Sequence, residues 1–167
     1  RREDYLTKLA PVLFDPEAHL DLWDKFLSDA IPDEETRRYL QKCAGYSLVG
    51  KKPEDLLLLC HGQGGTGKST FREALGATLG NYAASADLET FTTKRDPHAP
   101  APDLARLVGT RLVTVSEVDT HGTSALLKRA TGGDMIHTRS LHQETFEFTP
   151  QFTLWLMDND RPRVPDD

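Results

Sequence analysis

Cysteine is scarce in these 167 residues. Cys43 and Cys60 are the whole complement, with no C-x-x-C spacing and no histidine pattern to match. That excludes a disulfide-stapled scaffold and a finger-like zinc site, and both residues are expected to be buried thiols of a reducing compartment. Long apolar runs are also missing, and Arg1-Arg2-Glu3-Asp4 does not begin a signal peptide, so no membrane partner is expected. There is no excess of positive charge. Lys+Arg 20 against Asp+Glu 26 gives a formal net charge of −6 and a pI near 5.5. A general basic footprint for nucleic acid is thereby excluded, and any such contact must be local. Internal repeats and low-complexity tracts are absent too, and the length fits one domain with at most a small appendage.

What is present is concentrated in residues 61–70, HGQGGTGKST. The preceding DLLLLC is apolar without alternation, which predicts a strand buried on both faces of a parallel sheet. The following FREALGATLG places Phe71, Ala74, Leu75, Thr78 and Leu79 on one helical face, with Gly80 set to end the helix. Gly62, Gly67, Lys68 and Ser69 therefore fit G-x-x-x-x-G-K-[ST] between a strand and a helix. A phosphate chain lying on the backbone needs inward N–H groups without Cβ atoms in the way. Glycines 62, 64, 65 and 67 meet that need and allow positive φ, and Gln63 and Thr66 complete the loop. The helix N-terminus adds free N–H groups and partial positive charge. Lys68 would reach the β- and γ-phosphates, and Ser69, followed by Thr70, would ligate Mg²⁺. The alternative is a Gly-rich turn that merely precedes a helix, but strand, loop and helix together favour a nucleoside triphosphate site.

Residues 1–50 read as a helical segment. EAHLDLWDKFLSDA carries Leu20, Trp23, Phe26 and Leu27 at helical spacing, and Trp23 reads as core. Asp33-Glu34-Glu35 marks a second helix start rather than an acidic site. Lys51-Lys52-Pro53 connects to an α/β unit over residues 51–167, expected to be incomplete at its C-terminal end. There, FTTKRDPHAPAPD reads as a loop and DLARLVG as a short helix. RLVTVSEVD is a strand, TSALLKRATGG a helix closed by glycines, and FTLWLMDN a buried strand. MIHTRS and TFEFT flank LHQE as a β-hairpin with a four-residue connection. Strands alternating with helices around such a loop predict a three-layer α/β sandwich with a mostly parallel sheet.

In such sheets working residues gather at the carboxyl ends of strands. RLVTVSEVD ends in Glu117 and Asp119, and FTLWLMDN ends in Asp158 and Asn159. A carboxylate beside a γ-phosphate can hold Mg²⁺, directly or through water, or polarise the attacking water, and an amide can hold that water in line. A solvated strand-end acid is the plainer alternative for Glu117.

KRATGGDMIHTRSLHQETFEFTPQFTLWLMDN, from Lys128 to Asn159, resembles the core of superfamily 3 helicases of the phage and plasmid primase-helicase type, related to the poxvirus primase-helicases. The resemblance extends through DLARLVGTRLVTVSEVD and the glycine loop, and more loosely into FLSDAIPDEETRRYLQKCAGYSLVG. It implies an AAA+-like P-loop ATPase that uses ATP and Mg²⁺, assembles as a ring, usually hexameric, and pulls single-stranded DNA through its centre. By matching position Lys68, Ser69 and Thr70 fall in Walker A and Glu117 in Walker B, and Asn159 is the sensor of the γ-phosphate. The hairpin between Met135 and Thr149 would be the DNA-gripping pore loop, with His142 at its turn and Lys128, Arg129 and Arg139 nearby. A solvent-exposed turn histidine is the alternative for His142. The implied setting is the cytoplasm of a bacterial cell or infected host.

Two departures bear on this. Ser116, not an acid, precedes Glu117, so metal-ligating and water-activating roles are not separated and Asp119 stays a reserve ligand. Arg161 and Arg163 do not match the family's arginine finger. Two other readings stay open. One is a non-hydrolysing nucleotide-binding assembly module. The other, a small-molecule kinase, is disfavoured by the fifty residues ahead of the loop and the lack of an Arg-rich lid.

Overall fold

A computed structural model describes residues 7–51, 54–92, 101–116, 125–139 and 144–159. Helix α1 (Asp21–Ala30) turns a stripe of Trp23, Phe26, Leu27 and Ala30 inward, while Leu22 on its other side is 83% exposed. None of its residues is fully buried, so it is a surface helix resting on the body. Helix α2 (Glu34–Val49) starts where expected: the Asp33 side chain accepts from the Thr36 backbone N–H at 2.7 Å. This hydrogen bonding to Thr36 holds the Asp33 carboxyl below its ordinary pKa. Gly50, with φ 66°, ends the helix.

Strand β1 (Leu57–His61), helix α3 (Lys68–Leu79), strand β2 (Ala83–Ala86), strand β3 (Leu112–Ser116) and strand β6 (Thr153–Asp158) form the centre. The sheet order is β1-β6-β3-β2 and all three pairings are parallel. Parallel neighbours require crossovers, and the helices provide them. Four-residue helical turns α4 (Glu89–Thr92) and α5 (Pro102–Ala105) sit at the two ends of the stretch expected to be loop. The helix expected over DLARLVG is thus a single turn, yet it fully buries Leu104 and Leu107. Helix α6 (Ala125–Gly132) precedes the antiparallel pair β4 (Ile136–Thr138) and β5 (Phe146–Phe148), joined through Ile136↔Phe148 and Thr138↔Phe146. The hairpin is therefore shorter in its strands than its sequence suggested, and residues 140–143 of its connection lie outside the described residues.

Alternation along β6 divides the core. Leu154 and Leu156 join Val113, Val115, Leu127, Ile136 and Phe152 on one face. Trp155 and Met157 join Leu58, Phe71, Leu79 and Cys43 on the other, where Trp23, Phe26 and Leu27 of α1 also pack. Helix α2 is pinned there by a polar link: Trp155 Nε1 donates to Ser47 Oγ at 3.0 Å, and Ser47 Oγ donates to the Cys43 carbonyl at 2.9 Å.

One expectation needs correcting, and one strand has no sequence signal. Strand β1 is not buried on both faces. Among the described residues it is an edge strand with β6 as its one partner, Leu58 is buried, and Leu57 and Leu59 are each 39% exposed. The four residues of β2 were missed altogether, because Ala83, Ala84, Ser85 and Ala86 carry none of the β-branched or aromatic bulk by which strands are recognised.

Candidate functional site

The loop from Gly62 to Gly67 leaves the carboxyl end of β1 and enters α3 at Lys68. Gly65 and Gly67 have φ of 82° and 91°, a region that L side chains rarely adopt. A Cβ at Gly67 would lie 2.9 Å from Phe26 Cε2, so this glycine also lets α1 press on the loop. Gly64 takes no positive φ and has open space around it, contrary to the expectation that all four loop glycines would share that role. The loop closes on itself: Thr66 Oγ1 donates to the Gln63 carbonyl at 2.9 Å. Helix α3 then begins with no side-chain cap and no acid in its first turn, unlike α2 with Asp33. Its first N–H groups, including those of Lys68, Ser69 and Thr70, open toward the loop, and both hydroxyl residues are exposed.

Lys68 is the hub of this end of the sheet. Its Nζ donates to the carbonyls of Gly62 at 2.5 Å and Gln63 at 3.0 Å, and to Asn159 Oδ1 at 3.1 Å. Asn159 reaches it because β6 runs directly beside β1, with His61 opposite Asp158. Two residues 91 positions apart thus meet at the carboxyl edge. On the other side of β6, Ser116 pairs with Met157 at the end of β3, and Ser116 Oγ accepts from Arg72 Nη1 of α3 at 2.8 Å. Glu117 and Asp119 follow in the chain and lie outside the described residues.

Against the loop sits a cavity of about 500 Å³ that the sequence did not announce. Its floor is β1 and β6, through Leu58, Cys60, Trp155 and Met157. Its roof is α1 and α2, through Phe26, Ala30, Tyr39 and Cys43, and Gly62, Thr66, Gly67 and Lys68 form its rim. Both cysteines are free, Cys43 buried and Cys60 partly so. Burial pushes the Cys60 thiol up to about 11, with the neighbouring Cys43 adding to the effect and Lys68 opposing it.

The proposed DNA-contacting groups fall elsewhere. Lys128 is exposed on α6, whereas Arg129 donates to the Met135 carbonyl and ties α6 to the hairpin. Arg139 is half-buried at the end of β4, with its backbone carbonyl bonded to Ala101 N at 2.9 Å and no hydrogen-bond partner for its Nε among the described residues. Across the hairpin His137 Nδ1 lies 3.1 Å from Glu147 Oε1. His142 is outside the described residues.

A family described as "Family of unknown function (DUF5906)" matches residues 60–167. The chain belongs to the DUF5906 family. That match takes in the glycine loop, α3, β6 and the hairpin, and begins within β1. The chain is also 31% identical over 148 residues to a Frog virus 3 protein named "Putative helicase 022R", covering 84% of the chain and 15% of that protein. It is 29% identical to "Putative helicase 121R" of Invertebrate iridescent virus 3, over 99% of the chain and 19% of that protein. A third relative, "Putative helicase V13" of Sputnik virophage, is 28% identical over 71% of the chain and 16% of its own length. The DUF5906 chain thus spans less than a fifth of each of these relatives. Among solved structures, the apo C-terminal region of NrS-1 shares the fold at a TM-score of 0.61 and 15% identity, over 92% of this chain and 35% of that one. No helix among the described residues is long and apolar enough to cross a membrane.

Proposed function

We propose that this chain is the ATP-hydrolysing module of a replication helicase of the superfamily 3 type, working with Mg²⁺ in a ring, hexameric by resemblance, on single-stranded DNA. The observation that carries the reading is the meeting of Lys68 with Asn159 at 3.1 Å. A cation at the mouth of a glycine loop and an amide at the end of the neighbouring strand are the two groups that a bound triphosphate needs around its γ-phosphate. In this reading residues 62–70 form a P-loop (Walker A), Lys68 holds the β- and γ-phosphates, and Asn159 orients the attacking water. Glu117 polarises that water or binds the metal, with Asp119 in reserve.

The exposed Ser69 hydroxyl in the first turn of α3 fits a magnesium ion, which it would hold as an oxygen ligand. Mg²⁺ would neutralise charge developing on the phosphates. The names of three viral relatives support the helicase part of the reading. DNA would be held by the hairpin from Met135 to Thr149, through Arg139, His142 and the nearby Lys128 and Arg129. Arg129 would act in part by holding the hairpin against α6.

The test is calorimetric titration with Mg·ATP of the parent and of Lys68→Ala, each checked for fold by circular dichroism. The expected outcome is a well-folded variant with affinity lowered at least about tenfold, since one charge-assisted contact to phosphate contributes that much. Equal affinity in a folded variant would sink the proposal.

A further inference from the structure

We propose that the cavity beside the glycine loop takes the nucleobase and holds it by apolar contact without reading its hydrogen-bonding edge, so that adenine and guanine nucleotides bind almost alike. This rests on the triphosphate reading of the loop and adds to it a substrate range. The cavity is contiguous with Gly62, Gly67 and Lys68, so a triphosphate on the loop has its nucleoside end at the cavity mouth. At about 500 Å³ it lies within the range of small-ligand pockets. Phe26, Tyr39, Phe71 and Trp155 are among its walls, and aromatic surface takes any base because every base has a π face.

Choosing between adenine and guanine requires hydrogen bonds to the six-position and two-position groups, and among the described residues few wall side chains could make them. Thr36 Oγ1 gives its one proton to the Asp33 carboxylate at 2.5 Å, inside the cap of α2, and so has none to donate to a base. Cys43, one turn along α2, holds the Tyr39 phenol above its ordinary pKa, so it stays a neutral hydroxyl. Cys60 offers a neutral thiol, a weak donor and weak acceptor. His61 is exposed at the rim and already has an interaction of its own. A site built to bond a polar group rejects its analogue by about 10⁴-fold or more, whereas an apolar pocket discriminates by roughly ten- to two-hundredfold even on shape. Adenine and guanine have nearly the same shape, so their affinities should agree within about tenfold.

The experiment displaces a ribose-labelled fluorescent ATP from the full chain, with Mg²⁺ present, using ATP, GTP and inorganic tripolyphosphate. The result expected is ATP and GTP within about tenfold of one another, with tripolyphosphate weaker than both by about tenfold or more, the share of a stacked base. Tyr39→Ala, at a residue 60% exposed and outside the core, should weaken ATP and GTP in parallel and leave tripolyphosphate unchanged. A preference for either nucleotide beyond tenfold, or a Tyr39→Ala loss confined to one of them, overturns the inference. Tripolyphosphate as tight as ATP overturns it as well, because the cavity would then hold no base. Failure of the loop reading looks different: Lys68→Ala would leave tripolyphosphate binding unaltered, or no triphosphate would bind at all.

Discussion

Gly67→Ala tests the junction on which the whole site depends. Two separate costs can be worked out. At φ 91° an L residue sits in a sparsely populated region, which costs about 1–3 kcal/mol. The new Cβ would also lie 2.9 Å from Phe26 Cε2 and 3.1 Å from Cζ, so the ring must leave its rotamer or α1 must lift, at about 1 kcal/mol. A total of roughly 2–4 kcal/mol corresponds to a fall in Tm of roughly 4–16 °C for a chain of this size. The assay is thermal unfolding by circular dichroism of the parent, Gly67→Ala, Phe26→Ala and the double variant. Removing the Phe26 ring abolishes the contact but leaves the backbone cost, so Gly67→Ala should cost about 1 kcal/mol less in the Phe26→Ala background. If Gly67→Ala melts with the parent, the left-handed conformation at the loop's end is wrong. If its cost is the same with and without Phe26, then α1 does not rest on the loop.

Ser47→Ala leaves the fully buried Trp155 indole N–H without its acceptor and should cost about 1–3 kcal/mol in denaturant unfolding; no loss would mean that α2 is not pinned to β6 by that bond. Burial raises Cys60 from an ordinary 9.0 to about 11, so the unfolded chain ionises first as pH rises. The contribution of Cys60 is therefore fully present below pH 9 and lost between 9 and about 11. Stability should decline across that window, and Cys60→Ser should flatten the decline. Native Cys60 should likewise alkylate far more slowly at pH 8 than in the unfolded chain, and equal rates would contradict its burial.

The parts of this molecule that could be read from sequence are those whose determinants are local. The span from Leu57 to Leu79 shows a strand, a glycine loop and a helix because the apolar run, the glycines and the 3.6-residue period all lie within one stretch, and Asp33 caps α2 from three residues away. What β1 lies beside is not local. A run of leucines suits a central strand or an edge strand equally, and it is the pairing of Leu57 with Leu154, with no further strand beside it among the described residues, that leaves Leu57 and Leu59 open. Small residues hid β2 for the opposite reason, since Ala83–Ala86 is a strand only because β3 lies alongside. The cavity was invisible because its walls come from Phe26, Cys43, Cys60 and Trp155, on four separate elements. That Lys68 and Asn159 share one end of the sheet could be anticipated from the rule that strand ends converge, although their 3.1 Å contact could not.

The chain's only two tryptophans stand on either side of one phenylalanine. Trp23 of α1 stacks on Phe71 at 5.9 Å, and Phe71 of α3 lies 5.8 Å from Trp155 of β6. One indole is half open to water and the other is sealed. The molecule therefore carries a two-component optical signal, one component of which, Trp155, stands in the wall of its cavity. Lifting α1 shifts the emission of Trp23 to the red while Trp155 stays blue, and only loss of the sheet moves both, so detachment of the N-terminal helix and global unfolding have different colours without any label.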